Sequence, residues 1–268
     1  MALALTAGMA GAFMGISGQK TVYAAEKPAY LKSVTYFGDE WPINYWGSED
    51  ENMSANFGKI KADGFNSIIL VIPWREFQPE DGREEWNQAA FDKLHQVMAC
   101  AEEHGLWVTL RIGYTWDYYG PSELPARFAG VTKKDSEDRA MWLRYSQAIY
   151  QAASAHENFH SGFITWEDFW DYVHNMGRNL SQEDRIRLAQ DCGYTEYLRD
   201  NYPLEEVNAL YGTTFTRYEE IGIPERKSPA AKLFFEYYDI FLNEFLADTQ
   251  TVFPGISMEV RADGDPIY

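Results

Sequence analysis

The stretch Ser67-Ile68-Ile69-Leu70-Val71-Ile72-Pro73-Trp74 decides the fold of this chain. A short, nearly continuous apolar run that is rich in β-branched residues is typical of a parallel strand buried on both faces. Pro73 and Trp74 end the run, and a loop follows at 77–82. Because helices cover both faces of such a strand, the run predicts an α/β protein.

The alternation of strand, loop and helix recurs on both sides of this run. Gly64 and Gly105 directly follow two of the predicted helices, where glycine commonly ends a helix. The predicted strands are 33–37, 67–72, 106–112, 162–165 and 256–261, and the helices between the first four are 51–63, 88–104 and 138–155. This order predicts a (β/α)8 TIM barrel that is truncated after about its fifth strand.

The regular alternation of strand and helix stops after the fourth predicted strand. Four helices are expected in the long segment that follows, at 182–191, 195–201, 204–211 and 232–251. We interpret this segment as a helical insertion, and residues 26–268 as one partial catalytic domain.

Composition and charge exclude several classes of partner. The 268 residues carry a net charge of -18, which repels nucleic acid and anionic membrane surfaces. Residues 1–19 contain no charge and lead to Ala24-Ala25, a pattern that predicts a secretory signal peptide at 1–25. We therefore expect a secreted protein with no nucleic-acid partner and, once the signal is cleaved, no membrane partner.

No pattern in the chain points to a cofactor or to a metal site. Cys100 and Cys192 lack the spacing of metal ligands or of a disulfide framework, and no phosphate-binding loop or serine elbow occurs. The stretch 261–265 is acidic, but it lacks the twelve-residue pattern of a calcium loop.

Candidate site residues follow from the position of the strand ends. Active sites of such barrels lie in the loops after the carboxyl ends of the strands. Besides a candidate catalytic residue, Glu167, the residues predicted to bind substrate at or near these ends are Glu40, Trp41, Trp74, Arg111, Trp166, Trp170, Arg261 and Asp263.

Glu167 has the features of a general acid. It follows the fourth predicted strand and lies between Trp166 and Trp170, whose rings can desolvate the carboxyl group and raise its pKa. Cleavage of a glycosidic bond needs such an acid, together with a second carboxylate about 5–5.5 Å away when configuration is retained. Alternatively, Glu167 caps a helix that begins near Asp168.

The other candidates also have structural alternatives. Arg111 interrupts an apolar strand, so it needs a charged or polar partner, which lies either in the site or in a structural ion pair. Trp41, Trp74 and Trp170 suit either a sugar platform or burial under a loop. Glu259 lies within the last predicted strand, which makes it a weak substitute for a nucleophile.

Three stretches of the sequence resemble known glycosidases. The segment 64–82, with Ile68-Ile69-Leu70-Val71-Ile72-Pro73-Trp74, and the strand 108–113 are similar to the second and third strands of clan A glycoside hydrolases. The segment 194–215, with Tyr202-Pro203-Leu204-Glu205-Glu206 and Tyr211-Gly212-Thr213, resembles the helical insertion of family 42 β-galactosidases. The resemblance extends from about Ser33 to Ile267.

This resemblance implies a retaining O-glycosyl hydrolase that acts on a β-linked oligo- or polysaccharide and is galactosidase-like. In that clan the acid/base glutamate ends the fourth strand, which matches Glu167, and the nucleophile ends the seventh, which is missing from this chain. Trp166 stands where the clan usually has an asparagine that holds the sugar 2-hydroxyl. The alternative from another class is a secreted, non-catalytic carbohydrate-binding barrel.

Overall fold

The computed structural model describes residues 27–79, 86–114, 130–165, 176 and 178–259. In these residues five strands form one parallel sheet in the order β1-β2-β3-β4-β5. The strands are β1 (Ser33–Tyr36), β2 (Ser67–Pro73), β3 (Trp107–Tyr114), β4 (Phe159–Thr165) and β5 (Ser257–Glu259). Parallel strands in sequential order, joined by helices, are the arrangement of part of a (β/α)8 barrel, which confirms the predicted fold class.

Helices connect and cover the strands. They are α1 (Met53–Ala62), α2 (Trp74–Phe77), α3 (Gln88–Glu103), α4 (Glu137–Ser154), α5 (Gln182–Cys192), α6 (Tyr194–Asn201), α7 (Leu204–Tyr211) and α8 (Ala231–Val252). Short 3-10 helices occur at Tyr45–Gly47 and Tyr218–Glu220. The segment between β4 and β5 therefore contains the four helices that the sequence predicts.

Several element bounds differ from the expectation. β4 begins at Phe159 instead of residue 162, because the polar residues His160 and Ser161 belong to a strand with one solvated face. The last described residue of β5 is Glu259. The short helix α2 was not predicted, since four residues are too few to show a helical period.

The two faces of the sheet have different chemistry. On the outer face, Ile68, Leu70 and Ile72 of β2 are fully buried against the helices. The inner face is concave and carries many small hydroxyl side chains. The outer packing is tight, because a β-carbon on Gly113 would lie 2.5 Å from Cη2 of Trp142, so only glycine fits there.

Polar contacts attach α8 to α4. Arg139 of α4 is buried and forms an ion pair with Asp248 of α8 at 2.8 Å. Trp142 Nε1 donates to Thr249 Oγ1 at 2.9 Å. These contacts fix α8 against α4, and α8 in turn leads directly to β5.

In the described part of the chain, no helix is both long enough and apolar enough to cross a membrane.

Candidate active site at the carboxyl ends of the strands

The inner face of the sheet forms an open concavity of about 560 Å³. Its lining combines short hydroxyl side chains with aliphatic residues, an arginine and a carboxylate. The described lining residues are Leu31, Ser33, Thr35, Ile69, Val71, Thr109, Arg111, Ser161, Phe163, Ser257, Met258 and Glu259. In a closed (β/α)8 barrel the inner face of the strands is filled by side chains, and substrates bind at its carboxyl-terminal rim.

Arg111 lies on this concave face. The register of β3 places it between Val71 of β2 and Phe163 of β4. Its guanidinium donates from Nη2 to Oγ1 of Thr165 at 3.2 Å, and Thr165 is fully buried. This bond directs the half-buried guanidinium of Arg111 toward the carboxyl end of β4. Its role in substrate binding stays a prediction.

The end of β4 also faces β5. Thr165 and Glu259 are register partners, and each is the last described residue of its strand. Glu259 is exposed and lines the concavity. This carboxylate therefore lies beside the strand end that leads into Glu167.

Glu40 and Trp41 lie in the loop after β1 and are both exposed. Trp41 keeps 49% of its surface accessible and meets Phe37 edge-on, with 6.1 Å between ring centroids. The Trp41 carbonyl accepts hydrogen bonds from the amides of Asn44 and Tyr45, which fixes the backbone beneath the indole. An exposed, backbone-anchored indole next to a carboxylate keeps the sugar-platform interpretation open for Trp41.

Lys93 anchors this loop from a neighbouring helix, and no local sequence pattern indicates this contact. Its Nζ donates to the carbonyls of Tyr45 and Ser48, the latter at 2.6 Å, and lies 3.8 Å from the centroid of the Tyr45 ring. Burial lowers the pKa of Lys93. The side chain acts as a bridge between α3 and the loop that carries Glu40 and Trp41.

Two further contacts attach the same loop to the sheet. Trp46 Nε1 donates to the carbonyl of Val71 in β2 at 2.9 Å. Asp50 Oδ2 accepts from the hydroxyls of Tyr36 at 2.7 Å and Tyr45 at 3.2 Å. Burial, with Asp50 adding to it, raises the pKa of both tyrosines, so both hydroxyls stay protonated donors.

The indole of Trp74 is not exposed as a sugar-stacking platform, so the structure contradicts this prediction from the sequence. It is fully buried, its Nε1 donates to Gln78 Oε1 at 2.7 Å, and it meets Trp142 edge-on at 5.3 Å. The reason is local: α2 begins at Trp74 and turns the indole toward α4. There Tyr145 donates its hydroxyl to the carbonyl of Ile72 at 2.6 Å. Trp74 therefore supports the end of β2 from within the core.

Five of the predicted site residues lie outside the described residues. These are Glu167, Trp166, Trp170, Arg261 and Asp263. Their roles stay predictions.

The two cysteines are free thiols, and burial raises the pKa of both, Cys192 to about 12. They lack the low-pKa environment of a reactive thiol. Among the described residues, no group of three or more histidine, cysteine, aspartate or glutamate side chains is arranged to hold a metal ion.

Comparison with known proteins supports a glycosidase relationship over part of the chain. Residues 32–117 match the model of the family described as Glycosyl hydrolases family 35. The human protein β-galactosidase-1-like protein 3 is 34% identical over 71 residues, which cover 26% of this chain and 11% of that protein. Over residues 32–117 the chain therefore resembles clan A glycoside hydrolases. The matching model is that of family 35, so the narrower expectation of family 42 is not supported.

Comparison with a solved structure supports the fold. The catalytic domain of a β-amylase from Paenibacillus polymyxa superposes with a TM-score of 0.53 at 14% identity, over 85% of this chain and 65% of that one. An exo-β-1,4-mannosidase from Opitutaceae bacterium strain TAV5 has a TM-score of 0.44 at 9% identity, over 85% of this chain and 51% of that one. The chain spans less than two thirds of the length of each of these proteins.

Proposed function

We propose that this protein is a retaining β-glycosidase of a galactosidase-like type, for which the chain supplies the acid/base half of the active site. The observation that carries the proposal is the place of the family match. Residues 32–117 include β1, β2 and β3, whose carboxyl ends hold the loop of Trp41 and the inward-facing Arg111. The matched region thus contributes the first three strand ends of the proposed site.

In this proposal Glu167 is the general acid. It protonates the glycosidic oxygen as the bond to the anomeric carbon breaks, and it then deprotonates the water that hydrolyses the glycosyl-enzyme intermediate. The nucleophile is a carboxylate about 5–5.5 Å from Glu167. We place it at the end of the seventh strand, as the resemblance to clan A implies, and not at Glu259, which lies on the fifth strand of the sheet.

The remaining candidates bind the sugar. Trp41 stacks against an apolar sugar face and Glu40 accepts from its hydroxyls. Arg111, held by Thr165, donates to a substrate hydroxyl or to the nucleophile. Trp166, Trp170, Arg261 and Asp263 complete the substrate contacts. The proposed sugar is a β-linked oligo- or polysaccharide, as the resemblance to β-galactosidases implies. We expect it to be neutral, because a chain with a net charge of -18 repels anions.

A second candidate function is non-catalytic carbohydrate binding. The exposed, backbone-anchored indole of Trp41 is compatible with this function, because stacking on a sugar face needs no catalytic carboxylate. In this case the aromatic and hydroxyl side chains hold the sugar without cleaving it.

One experiment separates the two functions. The full gene product is assayed with 4-nitrophenyl β-galactoside, β-glucoside and β-mannoside, and the anomeric configuration of the first product is followed by proton NMR. Hydrolysis with retained configuration supports the proposal. Binding of the same sugars in calorimetry without hydrolysis supports the binding barrel, and inverted configuration contradicts the retaining mechanism.

We also propose that the protein is exported. The uncharged stretch 1–19 and the small residues before Glu26 support a signal peptide. Mass spectrometry of the protein recovered from the medium should show an amino terminus at Ala25 or Glu26. Retention in the cell with Met1 intact contradicts export.

A further inference from the structure

His95 and His156 are paired on the outside of the sheet layer. His95 lies on α3, and His156 lies in the turn between α4 and β4, on the amino-terminal side of the strands. Nδ1 of His95 and Nε2 of His156 are 2.9 Å apart, and the ring centroids are 5.2 Å apart. The pair is therefore remote from the carboxyl ends where the proposed active site lies.

The turn that carries His156 is fixed to α3 independently of the pair. Asn158 is buried, and its Nδ2 donates to the carbonyls of Met98 at 2.9 Å and Leu106 at 3.1 Å. The Asn158 carbonyl in turn accepts from the amide of Val108 at 2.9 Å. Since Met98 lies one turn after His95 on α3, these bonds hold the two imidazoles within reach of each other before any ligand arrives.

We propose that His95 and His156 form a binding site for a divalent transition-metal ion of the Zn²⁺ type, with water completing the coordination. Imidazole nitrogen is a preferred ligand of such ions. Two imidazole nitrogens that each lie about 2.0–2.1 Å from one tetrahedral ion are themselves about 3.3 Å apart. The observed separation of 2.9 Å needs only a small opening of the pair.

The chemistry of the pair also favours a cation. In the metal-free form the two imidazoles share one hydrogen between their facing nitrogens. When a metal ion binds, that hydrogen moves through solvent to the other nitrogen of its own ring, so both neutral rings offer the ion a lone pair. Glu102 is exposed on α3 two turns after His95, and it lies close enough to act electrostatically on the His156 ring. Its negative charge lowers the cost of placing a cation there.

The test is isothermal calorimetry of the tag-free, chelator-treated protein with zinc chloride. The variants are His95→Gln and His156→Gln, and the controls are His104→Gln and His160→Gln, whose rings contact Ser54 and Ser161 instead of another histidine. We expect one Zn²⁺ per chain in the parent and both controls, and at least about tenfold weaker binding in each of the two site variants, since each loses one of two ligands.

A second measurement distinguishes the loss of a metal ligand from the misfolding of a variant. Zn²⁺ should raise the melting temperature of the parent and of the controls but not of His95→Gln, whose exposed position should leave the metal-free melting temperature unchanged. The proposal is overturned if the parent does not bind Zn²⁺, or if all five proteins bind it equally. Loss of binding in a control but not in the site variants overturns it as well.

Discussion

Arg111 of β3 donates from Nη2 to Oγ1 of Thr165 in β4 across 3.2 Å, so a half-buried cation is tied to the strand end that leads into Glu167. An arginine on the concave face is costly unless its charge is compensated by polar partners. The bond to a fully buried hydroxyl fixes the direction of the guanidinium. This relationship connects the strand pattern to the proposed chemistry.

The first prediction concerns this pair. In the full gene product, Arg111→Met should lower kcat/KM by about 10²-fold or more, as loss of a preorganised donor does, while the melting temperature falls by only a few degrees. Thr165→Val should lower kcat/KM less, and Thr165→Ser should restore it because the hydroxyl is kept. Enzyme kinetics and thermal melts check the series. Collapse of the melting temperature with normal activity in the folded fraction makes Arg111 a structural residue only.

The second prediction separates the two tryptophans. Trp74→Ala should lower the free energy of unfolding by about 3–5 kcal/mol, because it empties a fully buried site. Trp41→Ala should change it by about 0.5 kcal/mol or less, because the indole is exposed. Instead, Trp41→Ala should raise KM about three- to tenfold, through the loss of roughly 0.5–1.5 kcal/mol of aromatic contact. Denaturant unfolding and kinetics measure both effects, and an unchanged KM in Trp41→Ala removes it from the site.

The third prediction concerns Lys93. Lys93→Met leaves the carbonyls of Tyr45 and Ser48 without this donor, which should cost about 1.5–3 kcal/mol of stability. It should also raise KM, since the loop of Glu40 and Trp41 loses its link to α3. Lys59→Met on the exposed face of α1 is the matched control. Equal stability of the two variants contradicts the anchoring role.

The fourth prediction is a pH dependence. Burial raises the pKa of Glu76 in α2 above its usual 4.5, so the folded chain binds a proton more readily than the unfolded chain does. Stability from this group is therefore present below pH 4.5 and is lost as the pH rises through the folded-state pKa. The substitution Glu76→Gln should remove this loss of stability at higher pH.

Thermal melts test the direction of this pH dependence. Glu76→Gln should melt above the parent at pH 7, and the difference should shrink at pH 4. The control Glu244→Gln, on the exposed face of α8, should show no such trend. A Glu76→Gln variant that is less stable than the parent at pH 7 shows that the carboxylate has a favourable partner.

The sequence predicts most of the fold because burial leaves a local pattern. The apolar run of β2 and the glycines after α1 and α3 are local signals, and all three mark elements that the structure contains. The start of β4 was missed for the opposite reason. His160 and Ser161 are polar because one face of that strand borders the concavity, and such a short polar stretch resembles a loop.

Contacts between residues that lie far apart in the sequence explain why some predictions at the site were wrong or missing. An indole after a strand end gives the same local signal whether it faces a sugar, as we propose for Trp41, or packs on Trp142, as Trp74 does. Lys93 looks like an ordinary helix lysine, since its partners lie 45 and 48 residues away. His95 and His156 are likewise 61 residues apart, so only the folded chain brings them together.

The central claim is that Glu167 is the acid/base residue of a retaining β-glycosidase, and azide rescue of Glu167→Ala tests it most directly. In the full gene product this variant should lose hydrolysis of unactivated substrates severely and lose less with activated aryl glycosides, which need no acid. Azide should restore turnover and yield a β-glycosyl azide, because the anion attacks the glycosyl-enzyme intermediate without a general base. Unchanged hydrolysis of an unactivated substrate by Glu167→Ala would contradict the claim.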